Sequence, residues 1–265
     1  MLVLHGIYGS GTNWRTFARK LVGQRPDWGL ILVDLRMHGQ SQAAPPPHTV
    51  HAAADDLDRL AGDLATRGHR VAAVCGHSFG GKVALAYRAL HRARGDHGLS
   101  QTWVLDCSPS ARPEALDEPD NTVVQVLSML HELPETFASR ADFVAAVRER
   151  GFPETIGHWL AMNLERQPDD SGYRSRLDPA AMDALLRDHY TLDSWPALLE
   201  GPGRAHVVIA GRSTAMPVDD RARLEKAAAE HESVEVTIIE DSGHWVHIEA
   251  LDALLSVIGE RLARD

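Results

Sequence analysis

Residues 75–81 read Cys75-Gly76-His77-Ser78-Phe79-Gly80-Gly81 and set Ser78 in a Gly-x-Ser-x-Gly turn. The run before it, Arg70-Val71-Ala72-Ala73-Val74, is a short apolar strand. The run after it, Lys82-Val83-Ala84-Leu85-Ala86-Tyr87, begins a helix. A serine on such a strand–turn–helix corner is held in a strained conformation with its hydroxyl in open space, and the flanking glycines let strand and helix approach closely. Five residues of common type recur by chance, so the placement between a β-branched strand and an apolar helix gives the motif its meaning. On that placement Ser78 reads as a nucleophile elbow rather than as the serine of an ordinary Gly-rich turn.

The same alternation runs through the chain. Apolar strands at Leu2–Leu4, Leu30–Val33, Val71–Val74, Thr102–Leu105, Val207–Ile209 and Val234–Ile239 are separated by helical patterns near 12–24, 51–66, 81–93, 218–230 and 249–263. This order predicts an α/β fold with a doubly wound, mostly parallel sheet. Strands lie about 25–40 residues apart, as βαβ units require, except that about ninety residues separate Pro109 from Pro202. That stretch reads as helices. Ser139 caps a helix over 141–150 that Gly151 stops, Pro153–Leu164 carries Ile156, Trp159 and Leu160 on one side, and Asp178-Pro179 opens a helix through His189. The division expected is a core of residues 1–108 and 203–265 with a helical cap insertion at 109–202. Such an insertion emerges at the carboxyl edge of the sheet, over the site, where it shapes a pocket and excludes water.

Composition narrows the function classes. The 265 residues and 44% hydrophobic content suit one large globular domain. A formal net charge of −10 with no Lys/Arg stripe argues against a nucleic-acid surface. No apolar run approaches the ~20 residues of a membrane span, and no export signal is visible, which reads as a cytoplasmic protein. Cys75 and Cys107 are expected as free buried thiols, and no Cys/His cluster has metal spacing, so neither metal nor cofactor is expected. Of the 15 histidines, only His5, His38, His77, His244 and His247 stand beside motifs. The others, His48, His51, His69, His91, His97, His131, His158, His189, His206 and His231, are expected at the solvated surface.

A serine hydroxyl needs a base, and on this fold the partners follow in the order Ser…Asp/Glu…His. His244, in Glu240-Asp241-Ser242-Gly243-His244-Trp245, lies just past the last apolar strand and is the expected base, with His247 structural. The loop after the next-to-last strand, residues 210–217, holds no carboxylate before Asp219 and Asp220, which look like the first turn of a helix. Asp106, at the carboxyl end of the strand after the elbow helix, is preferred as the acid, with Asp219 and Asp220 as alternatives. Backbone N–H donors for a tetrahedral oxyanion are expected from Phe79, directly after the nucleophile, and from Ile7 in the loop Leu4-His5-Gly6-Ile7-Tyr8-Gly9-Ser10-Gly11.

With these pieces in place the chain resembles the α/β-hydrolase superfamily over nearly its whole length. Within it the chain is similar to the small YbfF-like and ABHD-type esterases. The resemblance rests on Leu4-His5-Gly6-Ile7-Tyr8-Gly9-Ser10 with Asn13-Trp14, on Asp34-Leu35-Arg36-Met37-His38-Gly39-Gln40-Ser41, on Gly76–Lys82, on Leu105-Asp106-Cys107-Ser108-Pro109 and on Gly243-His244-Trp245-Val246-His247. Met37 stands where Asn is usual. Relatives of this kind tend to lack the late acid and to carry an Asp after the strand following the elbow, in agreement with Asp106. They also have two more strands before the oxyanion loop. Without that pair, the strand at residues 29–33 is expected as a bare apolar edge, in a chain either N-terminally shortened or covered there by a partner subunit in a homo-oligomer. The resemblance implies a serine hydrolase of carboxylic esters or thioesters with small to medium acyl groups. One alternative is a C–C bond hydrolase of diketone-type substrates using the same triad; another is a non-catalytic ligand-binding module on a hydrolase scaffold. Dehalogenase and epoxide-hydrolase chemistry is disfavoured, since those relatives carry a carboxylate at the elbow.

Overall fold

Both faces of the main sheet are covered, so its strands are continuous apolar runs rather than alternating ones. The computed structural model of the chain describes residues 1–96 and 98–263; the surface expectation for His97 lies outside the described residues. The elements run β1 (Leu2–Leu4), α1 (Arg15–Gln24), β2 (Ile31–Val33), α2 (Val50–Thr66), β3 (Ala73–His77), α3 (Phe79–Ala93) and β4 (Gln101–Leu105). Next come α4 (Thr122–Glu132), β5 (Thr136–Phe137), α5 (Arg140–Glu149), α6 (Glu154–Leu160), β6 (Leu164–Arg166), β7 (Tyr173–Ser175), α7 (Pro179–Thr191) and α8 (Trp195–Glu200). The chain then re-enters the sheet through β8 (Arg204–Ala210), α9 (Val218–Glu230), β9 (Val234–Ile239), α10 (Val246–Glu249) and α11 (Leu251–Arg261).

The main sheet is six-stranded, in the order β2-β1-β3-β4-β8-β9, with every pairing parallel. Alternate side chains enter different cores, as a pleated strand requires. Leu2 and Leu4 pack with α2 and α3, whereas Val3 packs on the opposite face with Phe17 and Leu21 of α1 and Leu254, Leu255 and Ile258 of α11. β2 pairs with β1 alone among the described residues, and its three residues are half-buried. Ile31 and Val33 pack on one core and Leu32 on the other, so the edge expected to be bare is covered on its faces and open along its outer rim.

Register delivers the site to one edge. His77 of β3 pairs with Leu105 of β4, so the residues that follow them, Ser78 and Asp106, leave the sheet side by side at its carboxyl end. Between β4 and β8 the chain makes helices, as expected, with Ser139 capping α5 and Asp178 capping α7 through side-chain bonds to first-turn N–H groups. It also makes a three-stranded antiparallel sheet, β5-β7-β6, where the sequence reads as helical throughout. Lys82, one turn into α3, is buried with its ammonium on three carbonyls: Ser110 at 2.8 Å, His189 at 2.7 Å and Leu192 at 2.7 Å.

Candidate active site

Ser78 joins β3 to α3 with φ 53 and ψ −121, an uncommon conformation for a residue with a side chain that costs on the order of 1–3 kcal/mol. Its N–H donates to the Leu105 carbonyl at 3.0 Å and its carbonyl accepts from Gly81 N–H at 2.7 Å, which holds the corner in place. The two motif glycines are required by proximity. A Cβ on Gly76 would lie 1.9 Å from the Gly80 carbonyl oxygen, and one on Gly80 would lie 2.6 Å from the His5 carbonyl oxygen. The corner is therefore wedged against the loop after β1, and Ser78 opens into a cavity of about 720 Å³ that His244 also lines.

The structure brings Asp106 to His244. Asp106 is fully buried with φ 46. Its N–H donates to the Val208 carbonyl at 2.8 Å, and its Oδ1 accepts from Ala210 N–H at 3.1 Å. That leaves Oδ2 facing His244, whose Nδ1 lies 2.6 Å away. Neither alternative carboxylate is there. Asp219 is exposed, and Asp220 is buried under two serines, accepting from Ser108 Oγ and from Ser110 Oγ at 2.6 Å. The His244 loop has a second anchor that the sequence did not reveal. His77 Nε2 donates to the His244 carbonyl at 2.8 Å, and the two rings stand 4.7 Å apart. His247 sits in α10, buried and stacked on Trp14 at 4.1 Å.

The loop after β1 lies directly against the serine, since a Cβ on Gly6 would sit 3.4 Å from Ser78 Cβ. Among the described residues the N–H groups of Ile7 and Phe79 have no hydrogen-bond partner, and Phe79 opens α3, where backbone N–H groups point outward. The Asp34–Ser41 segment braces this loop from β2. Asp34 accepts from Gly11 N–H at 2.8 Å and from Gln40 N–H at 2.8 Å. His5 Nε2 accepts from Leu35 N–H at 3.0 Å, so its Nδ1 carries the proton and donates to the Gly6 carbonyl at 2.7 Å. By the same logic His38 accepts from Tyr8 N–H at 3.2 Å through Nε2 and donates to the Arg36 carbonyl at 2.9 Å through Nδ1.

These imidazoles are neutral. Burial pushes His5 down to about 4, His247 to about 3 and His77 well below the ordinary value. Burial, with the adjacent His5, pushes His38 to about 3. Three histidines expected at the surface are placed differently. His206 is buried on β8 with its ring stacked on Trp103 at 4.0 Å. His91 is buried against Tyr87. His189 turns toward Phe79, and burial followed by the Lys82 ammonium pushes it well below the ordinary value.

Val123, Val126, Ile156, Trp159, Trp245 and Ile248 supply the apolar part of the cavity lining. Some of its polar lining is paired within the protein: Arg112 reaches Glu118 at 3.2 Å, and Asn121 donates to the Tyr190 hydroxyl at 2.9 Å. Cys75 and Cys107 are free and buried. Among the described residues no group of three or more His, Cys, Asp and Glu side chains is arranged to hold a metal ion, and no helix is long and apolar enough to cross a membrane.

The alpha/beta hydrolase family model matches residues 1–257. The chain is 28% identical over 266 residues to the sn-1-specific diacylglycerol lipase ABHD11 of Danio rerio, covering 97% of this chain and 77% of that protein. It is 25% identical over 260 residues to the esterase YbfF of Escherichia coli K12, covering 97% and 91%. Among solved structures, a marine microorganism esterase superposes with a TM-score of 0.80 at 20% identity, over 98% of this chain and 94% of that one. E-2-(acetamidomethylene)succinate hydrolase superposes with a TM-score of 0.76 at 22% identity, over 98% and 90%. With a family match over nearly its whole length and a parallel sheet that carries an elbow serine, the chain belongs to the alpha/beta hydrolase family.

Proposed function

We propose that the chain is a serine hydrolase cleaving carboxylic esters or thioesters of small to medium acyl groups through an acyl-enzyme on Ser78. The observation that carries this reading is the buried Asp106 carboxylate 2.6 Å from Nδ1 of His244, which lines the cavity into which the elbow serine opens. Related proteins named as an esterase and a diacylglycerol lipase favour ester chemistry.

In this reading Asp106 keeps the His244 proton on Nδ1, which leaves Nε2 free to take the Ser78 hydroxyl proton as Oγ adds to the substrate carbonyl. The oxygen of the tetrahedral intermediate is held by the Ile7 and Phe79 N–H groups, each donor contributing roughly 3 kcal/mol of transition-state stabilisation. His244 returns the proton to the departing alcohol or thiol. A water, deprotonated by the same imidazole, then adds to the acyl-enzyme, and collapse frees the acid and restores Ser78. The acyl group lies against the apolar lining residues, among them Val126, Ile156, Trp159 and Trp245. Residues 109–202 act as the cap that encloses this pocket.

The test needs no knowledge of the substrate. Intact mass after incubation with a fluorophosphonate gives one adduct on wild type and none on Ser78→Ala, and that variant loses on the order of 10⁶ in kcat. A folded wild-type protein that forms no adduct would mean Ser78 is not activated and would overturn the assignment.

A further inference from the structure

Tyr8 follows Ile7 directly and carries an uncommon burden for a large residue. It is 1% exposed, and its backbone lies in the left-handed region with φ 63, which an aromatic residue adopts only when its surroundings over-determine it. All its polar groups are held. The N–H donates to His38 Nε2 at 3.2 Å. The carbonyl accepts from Asn163 Nδ2 at 2.8 Å. The hydroxyl donates to the Val123 carbonyl at 2.9 Å.

These partners come from different parts of the fold. His38 lies in the loop after β2. Val123 is in the first turn of α4, and Asn163 is in the short turn just before β6, both within the segment between β4 and β8. Asn163 is itself buried, and its Nδ2 also reaches the Leu160 carbonyl at 3.3 Å. On the other side of Ile7, Gly6 is pressed against Ser78, and its carbonyl accepts from His5 and from Gly9 N–H at 3.0 Å. Ile7 is thus suspended between two fixed points, one belonging to the sheet edge and the other shared with the inserted segment.

We infer that Tyr8 is a positioning residue that couples the inserted segment to the oxyanion loop. Contacts at its hydroxyl and carbonyl from that segment hold the loop on the far side of Ile7, so the Ile7 N–H keeps its direction only while both they and the Gly6 carbonyl anchors are in place. The inference rests on the oxyanion role proposed for Ile7. Tyr8 itself touches no reacting atom. Its consequence is that the packing of α4 and the Asn163 turn against the core bears on the aim of one oxyanion donor.

The variant Tyr8→Phe keeps the ring and the strained backbone and removes only the Val123 bond; Asn163→Ala removes the carbonyl anchor. For each, at a temperature well below unfolding, kcat on a short-chain p-nitrophenyl ester falls about tenfold while KM stays within about twofold, as expected when a donor is misaimed rather than removed. A trifluoromethyl ketone analogue gives the second readout. Ser78 Oγ adds to its carbonyl carbon, the serine proton passes to His244, and the ketone oxygen becomes an alkoxide at the oxyanion position. Its affinity falls by the same factor, which a purely structural loss would not produce. Because both anchors act on one loop, the double variant loses less than the product of the two single losses. Both variants at wild-type kcat and analogue affinity would overturn the role of Tyr8, as would a raised KM at unchanged kcat. If Tyr8→Phe fails to fold, Asn163→Ala alone decides by the same signature. Absence of a fluorophosphonate adduct on wild type would instead overturn the acyl-transfer reading on which the inference rests.

Discussion

Replacing Asp106 by Asn changes one atom in a place where geometry leaves no slack. Oδ1 is committed to Ala210 N–H, so an amide nitrogen takes the position facing His244 Nδ1. Two donors cannot face each other there, and the imidazole moves its proton to Nε2, where it can no longer accept from Ser78. Asp106→Asn is expected to lower kcat by about 10⁴ with fold intact, as a wrong tautomer does. Asp219→Asn, at an exposed position, stays within about twofold of wild type, and steady-state ester hydrolysis by the pair separates the two carboxylates. The meeting of Asp106 with His244 was legible in the sequence because both residues follow strands that end at the same edge of a parallel sheet. His77, Tyr8 and Asn163 were not, because their roles are contacts between positions 155 and 167 residues apart, to which no local pattern points. The buried His206 was misread for a related reason. Its polar neighbours in sequence suggested solvent, but as a strand residue it faces Trp103 across the sheet.

At the scale of elements, the local rules were followed where segments were long and strongly patterned. α9 and β9 fall where the helical pattern near 218–230 and the apolar run Val234–Ile239 place them, and Ser139 and Asp178 cap the helices expected of them. The β6–β7 hairpin escaped because its strands are three residues each, and their Glu165 and Arg174 point into solvent, so neither β-branched run nor clean alternation marks them. The link between α3 and the inserted segment is likewise invisible until folded. Lys82 reaches Ser110, where the chain leaves the sheet, and His189 and Leu192, where α7 ends. One ammonium therefore ties the start of the segment and the end of α7 to the elbow helix. Lys82→Met fills similar space but strips three carbonyls of their donor, each left unpaired at about 1–3 kcal/mol unless water enters. We expect a loss of about 3 kcal/mol or more in chemical denaturation. Limited proteolysis should cut first within residues 110–192. Unchanged stability would mean that water replaces the ammonium without cost.

For the whole molecule, the choice to bury neutral imidazoles has a consequence at acid pH. His5 at about 4, His38 at about 3, His247 at about 3 and His206 at about 4 are all displaced downward chiefly by burial. In the unfolded chain each titrates near the reference value of ~6.5. Above that value neither state binds the proton and the groups are neutral in their effect. Below it the unfolded chain gains protons that the folded chain refuses, so stability falls with pH and stops falling only near the folded values of 3–4. Each group contributes a slope approaching about 1.4 kcal/mol per pH unit, so by pH 5 one such histidine has removed roughly 2 kcal/mol. Several together reach the whole ~5–15 kcal/mol margin of a typical domain. The expected outcome is a thermal midpoint that is level from pH 8 to 7 and drops steeply between pH 6.5 and 5. His206 lies away from the cavity, so His206→Phe, which keeps an aromatic ring against Trp103, should make that drop shallower by one proton without altering ester turnover at pH 8. A midpoint that stays level down to pH 5 would mean that these imidazoles accept protons inside the folded protein, and the hydrogen bonds by which His5 and His38 brace the loop around Ile7 would then have to be drawn with different donors.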